Sequence, residues 1–226
     1  MVTKTETSDD ARQQGKLIDL GNGLVRDSAL NVEWVKNANL AATETFGVQG
    51  ILSNGLMGWD TAQEWIAAMN AAGYLGHDDW RMPRILPAHG DSYRLDNARD
   101  GSTDFGLNVV SPKSEMLYVW YVHLGNKCYC DRSGNGPQEG WGMLNTGPFD
   151  NLMPDNYWSG TEVSLEDLQK THPFWYSPPE VGQGPPPASR FAFNNWLGMG
   201  GQSFNDKGYY QLIWAVRSIG SGDRSS

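Results

Sequence analysis

The chain has 226 residues and a mass of 25.0 kDa, enough for one large domain or two small ones. Its hydrophobic fraction of 39 % and aromatic fraction of 12 % exclude disorder of the whole chain. The net charge of −9 repels phosphate backbones, so we expect no nucleic-acid partner. No run approaches the ~20 apolar residues that a membrane-spanning helix needs, so we also expect no transmembrane segment.

The first half of the chain predicts a hairpin followed by a helix. Apolar runs at 16–20 and 24–26 flank a Gly-Asn-Gly turn, and a further strand is predicted at 32–35. The clearest helix is predicted over 61–72, because Thr61 and Glu64 fit a capping box and Gly73 supplies a left-handed cap. The apolar residues of this helix fall on one face: Trp65, Ile66, Met69 and Ala72.

The second half predicts one more helix and several strands. Ser111 followed by Pro112 is a helix start, and Gly125 ends the helical period. Strands are predicted at 157–161 and 190–194, and the longest apolar run, 209–217, predicts a central strand. The segment 195–208 is rich in Gly and Asn and predicts a hairpin loop. Two helices among short strands, without βα alternation, indicate the α+β class.

Several polar residues are candidates for chemistry, and most have a structural interpretation. Arg81, in the run Asp-Trp-Arg-Met-Pro, is expected to bind loop carbonyls or carboxylates, and Trp80, Trp158 and Trp214 are expected in the core. The two cysteines, Cys128 and Cys130, are too close for an unstrained bridge and too few for a tetrahedral metal site, so we expect two loop thiols or one strained bridge. His123, in the second predicted helix, is expected to be a packed or surface residue rather than a metal ligand.

No motif of a familiar enzyme class occurs in the sequence. The four histidines fit no His-Glu-x-x-His pattern, and there is neither a Gly-x-Ser-x-Gly elbow nor a phosphate-binding glycine loop. We therefore expect a protein that is not an enzyme and that needs no cofactor.

Many short motifs in a fixed order carry a family resemblance over about residues 18–219. They include Gly-Leu-Val-Arg-Asp at 23–27, Asp-Trp-Arg-Met-Pro at 79–83, Tyr-Trp-Ser-Gly-Thr-Glu at 157–162 and Trp-Ala-Val-Arg at 214–217. Together they resemble the Lcl C-terminal-domain-like family of bacterial domains, whose fold is similar to C-type lectins and to formylglycine-generating enzymes. The resemblance implies two helices packed on short antiparallel strands with long loops.

The resemblance also implies a domain organisation. We expect a flexible arm at 1–16, a single C-type-lectin-like domain at 17–219 and a flexible tail at 220–226. The chain departs from the family by a Pro-rich insertion at 163–189 and by the close spacing of its cysteines. The formylglycine-generating relatives bind copper through a cysteine pair in the C-terminal part of the fold. Neither cysteine of this chain lies there, which argues against oxidase chemistry.

C-type-lectin-like domains present ligands from loops near the C-terminal sheet, which implies a site within 194–210. Flat aromatic and short polar side chains suit sugars and protein surfaces alike. The candidate ligand-binding residues are Asn194, Asn195, Trp196, Gln202, Ser203, Asn205, Asp206, Tyr209 and Tyr210. The run Phe204-Asn205-Asp206 partly matches a lectin calcium motif, so Ca²⁺ stays an open alternative and is not predicted.

The expected function is therefore recognition of a carbohydrate or a protein by a non-enzymatic module. The alternative from a different class is a structural or accessory subunit that docks on a larger assembly through its aromatic loops and insertion. A third alternative is an oxidase related to the formylglycine-generating enzymes. Relatives are commonly exported, so we expect an extracellular or cell-surface location, although Met1–Gly15 contains no apolar signal segment.

Overall fold

The computed structural model describes residues 16–171 and 190–220, in which strands and helices mix as the α+β class requires. The strands, in chain order, are β1 (Leu17–Asp19), β2 (Leu24–Asp27), β3 (Val32–Val35), β4 (Asn97–Ala98), β5 (Phe105–Leu107), β6 (Asn156–Val163), β7 (Phe191–Trp196), β8 (Gly201–Asp206) and β9 (Val216–Ser218). The helices are α1 (Trp59–Ala71), α2 (Glu115–Tyr118) and α3 (Leu165–Thr171), with short 3₁₀ turns at Leu40–Ala42 and Tyr74–Gly76.

The strands of these two ranges form two sheets. The first has the order β1-β2-β3-β9 and is antiparallel throughout, so the last strand pairs with the N-terminal hairpin. The second has the order β4-β5-β8-β7-β6, with β4 parallel to β5 and the other pairs antiparallel. None of the described helices combines the length and apolar character that spanning a bilayer requires.

Helix α1 confirms the predicted amphipathic segment but begins two residues early. Its first intrahelical bond runs from Ala62 N to Gly58 O, and the Trp59 amide is satisfied by Lys207 O at 2.9 Å. This distant carbonyl does what the predicted Thr61 cap would have done, and no side chain caps the helix. Gly73 adopts φ +60° directly after the helix, which confirms the predicted left-handed cap.

The second predicted helix starts later than its sequence suggests. Ser111 forms a separate turn, accepting a hydrogen bond from Lys113 N on its hydroxyl and one from Ser114 N on its carbonyl. Helix α2 therefore begins at Glu115, and it continues as a π-helical turn over Val119–His123. The bond from Leu124 N to Val119 O spans five residues, which is the π spacing.

Tryptophan packing joins the two ends of the chain. The rings of Trp34 and Trp214 lie 4.3 Å apart, and the Trp214 indole donates to Val35 O at 2.8 Å. Trp158 donates to Met57 O at 3.0 Å, and Trp80 is 2 % exposed. The expected core positions of Trp80, Trp158 and Trp214 are thus confirmed, with each indole N–H paired as burial requires.

Contacts between buried and partly buried polar side chains fix the same region. Arg81 forms two 2.8 Å hydrogen bonds to the Glu115 carboxylate and a third to Met82 O, which confirms the role expected of this arginine. His123 lies against the buried Asp27 at 3.1 Å, as a packed histidine should. Removing Arg81 or Glu115 would leave a partly buried charge unpaired, which is costly. The pairs therefore lock α2 to the loop around Arg81 and to the first sheet.

Three sequence predictions are corrected by the structure. Of the predicted central strand 209–217, only Val216 and Arg217 belong to a strand of a sheet, as part of β9, although Ile213, Trp214 and Ala215 are buried. Their apolar character reflects core packing rather than ladder pairing. The predicted hairpin loop 195–208 consists mainly of β7 and β8, with a turn of only four residues at 197–200. A third helix, α3, lies in the segment expected to be a Pro-rich insertion.

Other parts of the predicted domain organisation lie outside the residues that the structure describes. The expected arm falls almost wholly within 1–15, the Pro-rich part of the insertion within 172–189, and the expected tail within 221–226. None of these three segments belongs to the described residues. The domain boundaries at 16–17 and 219–220 therefore stay predictions.

Buried tyrosines should make the folded protein less stable at alkaline pH. Burial raises the pKa of Tyr93 from its ordinary value of 10.0 to about 12, and raises those of Tyr121 and Tyr157 further in the same direction. Ionisation of these tyrosines is thus disfavoured in the folded state. The contribution of the protonated Tyr93 to the stability of the fold is complete below about pH 10 and is lost as the pH rises through about 12. We expect the free energy of unfolding to fall steeply across that interval. Urea unfolding at stepped pH measures it.

Phenolate absorbance provides the control. On unfolding at about pH 11, between the ordinary pKa of 10.0 and the raised value of about 12, the absorbance should increase because Tyr93 and its buried counterparts then ionise. Complete ionisation of all tyrosines in the folded protein at that pH would contradict the expectation.

Candidate functional site

The β7–β8 hairpin and the neighbouring strand β5 together form an open groove. Trp196 pairs with Gly201 across the hairpin, and Gly201 pairs with Leu107 on the next strand, so the three residues make one row across the sheet. Residues in register point to the same face. The resulting pocket has a volume of about 270 Å³. Trp196 is 44 % exposed at its rim.

A missing side chain creates the floor of this groove. A Cβ atom on Gly201 would lie 3.1 Å from Leu107 Cδ2 and 3.9 Å from Trp196 Cβ. Any larger residue at 201 would therefore occupy the space between the leucine and the tryptophan. The groove exists because residue 201 of β8, the strand between β5 and β7, is a glycine and has no side chain.

The turn that aims Trp196 outward is seated on α2 and its π extension. Gly200 has φ +72°, and a Cβ there would lie 2.5 Å from the Trp120 ring and 2.8 Å from Tyr121 Oη. The Tyr121 hydroxyl donates to Gly200 O at 2.5 Å and accepts from Asn108 N at 3.0 Å. One tyrosine thus joins the hairpin turn to the segment after β5. Only glycine fits at this contact.

Three of the expected ligand-binding residues are buried beneath the groove or beside it. Asn194 and Asn195 have no exposed surface, and Gln202 is 2 % exposed. Asn195 Nδ2 donates to Gln202 Oε1 at 3.5 Å, and Gln202 Nε2 donates to Asp104 O at 2.7 Å. Asn194 Nδ2 donates to Gln211 Oε1 at 2.8 Å. These amides connect strands and loops, so their expected placement on an exposed loop is wrong. Gln202 nevertheless lines the groove from its buried position.

The remaining expected residues are divided between the two ends of β8. Ser203 lines the groove with Trp196, whereas Tyr209 and Tyr210 are exposed beyond the far end of the strand. Six strand residues span roughly 17 Å, so a small ligand at Trp196 does not reach the tyrosines. The structure does not bring the predicted set together as one site.

Asn205 and Asp206 belong to the far end of β8 as well. The Asp206 carboxylate accepts hydrogen bonds from Arg190 Nε and from Gly208 N. Burial acts to raise the pKa of Asp206, but these hydrogen bonds and the nearby guanidinium outweigh it and hold the pKa below the ordinary value. In 16–171 and 190–220, no group of three or more His, Cys, Asp or Glu side chains could hold a metal ion.

Several groove residues were not predicted from the sequence. Asn97, Arg99, Phe105 and Leu107 come from the segment 84–110, outside the expected site at 194–210. Met199 comes from the hairpin turn. The parallel pairing of β4 with β5 places Asn97 and Arg99 at the edge of the sheet, with β5 between them and β8, and nothing local in the sequence signals it.

The two cysteines lie in a loop that is bonded to the hairpin turn beside the groove. Cys128 and Cys130 are free thiols, both buried, and the Gln138 amide donates to the backbone carbonyls of both at 2.8 Å. Tyr129, between them, donates its N–H to Met199 O at 3.3 Å. The loop thus supports the hairpin turn. The expectation of two loop thiols or one strained bridge is resolved in favour of thiols.

Comparison with protein-family models, with curated proteins and with solved structures finds no match to this chain.

The contact at Gly200 predicts a large loss of stability for Gly200→Ala. The added methyl group would overlap the Trp120 ring, and the positive φ would disfavour any L residue. We expect a loss of at least about 2 kcal/mol in the free energy of unfolding. Urea denaturation followed by tryptophan fluorescence measures this loss.

Gly73→Ala is the matched control. Gly73 has φ +60°, but a Cβ there would meet no atom within 4 Å, so only the conformational cost of about 1 kcal/mol applies. Equal losses in the two variants would show that the packing of Gly200 on Trp120 contributes nothing.

Proposed function

We propose that the chain is a non-enzymatic, C-type-lectin-like binding module that holds a carbohydrate or protein ligand in the groove beside Trp196. The observation that carries the proposal is an indole that is 44 % exposed at the rim of a groove whose floor is left open by a glycine. Exposed aromatic faces stack on the C–H faces of sugars and on apolar protein side chains.

The polar groups of the groove suit recognition. Asn97, Arg99 and Ser203 line it together with the rings of Phe105 and Trp196. Amide, guanidinium and hydroxyl groups can orient a ligand by hydrogen bonds, while the rings bury its apolar faces. The lining has one hydroxyl and no His, Asp, Glu or Cys that could activate it, which favours binding over catalysis.

The fold topology supports the C-type-lectin-like part of the proposal. The N-terminal hairpin pairs with β9, so the first sheet closes the domain and brings its two ends together. The second sheet combines the β7–β8 hairpin with strands that longer segments connect, and α1 and α2 pack beside the sheets. Helices and short strands in this arrangement are what the family resemblance implies. An extracellular or cell-surface location, which also follows from the resemblance, stays part of the proposal.

A second candidate function is that of an accessory subunit. Apolar side chains are exposed along the loops that follow α2, where Trp141 is 39 %, Leu144 68 % and Met153 44 % exposed. Exposed apolar residues of this size are typical of protein interaction surfaces. Stoichiometric co-purification of a second protein from native cells, lost in Leu144→Asp but kept in Trp196→Ala, would favour this candidate over ligand binding in the groove.

Trp196→Ala is predicted to abolish ligand binding and to leave the fold intact. The indole forms a wall of the groove, yet it is half exposed, so we expect the free energy of unfolding to change by less than about 1 kcal/mol. A glycan and protein array, run with and without a chelator, identifies the ligand and measures the loss.

Tyr209→Ala is the matched control, since Tyr209 is an exposed aromatic residue at the other end of β8. It should bind as the parent does. A variant pair in which Tyr209→Ala loses the ligand and Trp196→Ala retains it would place the site elsewhere and refute the proposal. Dependence on the chelator would show a cation requirement at the site.

A further inference from the structure

We propose that the groove is specific for acidic saccharides, and that Arg99 binds the carboxylate of a uronic acid unit whose ring stacks on Trp196. This inference rests on the proposed function and names its ligand class. It comes from the position of one arginine, which lines the groove together with Trp196 and Ser203.

Arg99 is held in place by its backbone. It follows β4 directly, and its carbonyl accepts a hydrogen bond from Asn108 Nδ2 at 2.7 Å. Close backbone packing fixes both sides of it: a Cβ on Gly106 would lie 1.8 Å from Ala98 O, and one on Gly101 would lie 2.1 Å from Asn108 O. The arginine therefore projects from a backbone that has little freedom to move, which lowers the entropic cost of binding.

Two carboxylates near Arg99, one next to it in sequence and one in a neighbouring loop, are occupied by other donors. Asp100 accepts hydrogen bonds from the backbone N–H and the hydroxyl of Ser102, and these bonds lower the pKa of Asp100. Asp131, whose loop lies beside the Arg99 stem, accepts from Ser133 N and Asn135 N at 2.8 and 2.9 Å. Each acid closes its own turn.

Consequently, no carboxylate in the described parts of the chain lies within 4.0 Å of the Arg99 guanidinium. This distinguishes it from Arg26, Arg81, Arg190 and Arg217, which are all paired with acids. In a protein of net charge −9, an unpaired cation in a groove is a local site for an anion. A guanidinium binds a carboxylate through two parallel hydrogen bonds.

The surroundings of Arg99 favour a sugar as the carrier of that carboxylate. Trp196 offers a flat face, and Asn97 and Ser203 offer short hydrogen-bonding groups for hydroxyls. The volume of about 270 Å³ is at the small end of ligand pockets. It suits a sugar unit of an oligosaccharide better than a helix or a strand of a partner protein.

The test compares charged sugars with neutral ones of the same shape. Sodium D-glucuronate and D-galacturonate are titrated against D-glucuronamide and D-galacturonamide, and the indole N–H signals of the protein are followed by NMR. The Trp196 signal is identified by its absence from the spectrum of Trp196→Phe. We expect the acids to shift this signal and the amides to bind about tenfold more weakly, because they lack the charge that Arg99 pairs with.

Arg99→Gln should remove the preference for the acid, and Arg99→Lys should retain part of it, because lysine keeps the charge without the bidentate geometry. Arg84→Gln is the matched control: it removes an equal charge from an exposed arginine outside the groove lining and should keep the preference. A general effect of net charge would affect both Gln variants equally and would overturn the inference.

The outcomes separate this inference from the function on which it rests. Equal binding of acids and amides, with the Trp196 signal shifted by both, would overturn the role of Arg99 and leave the groove as a sugar site. No shift by either kind of sugar would overturn the acidic-saccharide inference. The array then decides the proposed function by itself, through the effect of Trp196→Ala on whatever ligand it finds.

Discussion

The contact between Gly200 and the helical segment beneath it determines where the hairpin of the second sheet can lie. Trp120 and Tyr121 come from the π-helical turn after α2, and they meet the backbone at Gly200 at distances that exclude any side chain. Tyr121 completes the contact by donating to Gly200 O. Because the turn is fixed here, the row of Trp196, Gly201 and Leu107 opens to solvent instead of folding inward.

The helical segment is in turn fixed to the rest of the domain by polar contacts at both of its ends. Glu115, at the start of α2, binds Arg81 through two hydrogen bonds, and His123, at the end of the π turn, contacts Asp27 of β2. Arg217 of β9 pairs with Glu33 of β3, which also pairs with Arg26. Partly and fully buried pairs of this kind contribute less to net stability than to a defined arrangement of the elements that they join. These contacts therefore fix the helical segment on which the hairpin turn beside the groove packs.

Local signals in the sequence were sufficient for the elements that depend on local physics. The Gly-Asn-Gly turn, the apolar face of α1 and the left-handed Gly73 were predicted because each depends on residues a few positions apart. The start of α1 was wrong because a distant carbonyl, that of Lys207, satisfies its first amide. The prediction of a central strand over 209–217 was wrong because a strongly apolar sequence indicates burial, and a buried segment need not belong to a β-sheet.

The site was predicted only in part. Trp196 and Ser203 were included because the family resemblance implies a site within 194–210. Polarity alone did not distinguish them from Asn194, Asn195 and Gln202, whose side chains pair with Gln211, with each other and with backbone inside the fold. Asn97 and Arg99 depend on the pairing of β4 with β5, and the floor of the groove depends on a glycine whose neighbours come from two other strands. Such long-range register is not encoded in any short motif.

Oxidative footprinting of the tryptophans, with and without the ligand that an array identifies, tests the central claim most directly. Trp196 and Trp141 are comparably exposed, at 44 % and 39 %, so both should oxidise rapidly in the free protein, well before the buried Trp34, Trp158 and Trp214. The groove account predicts that bound ligand protects Trp196 and leaves Trp141 reactive. Protection of Trp141 with Trp196 still fully reactive would contradict it.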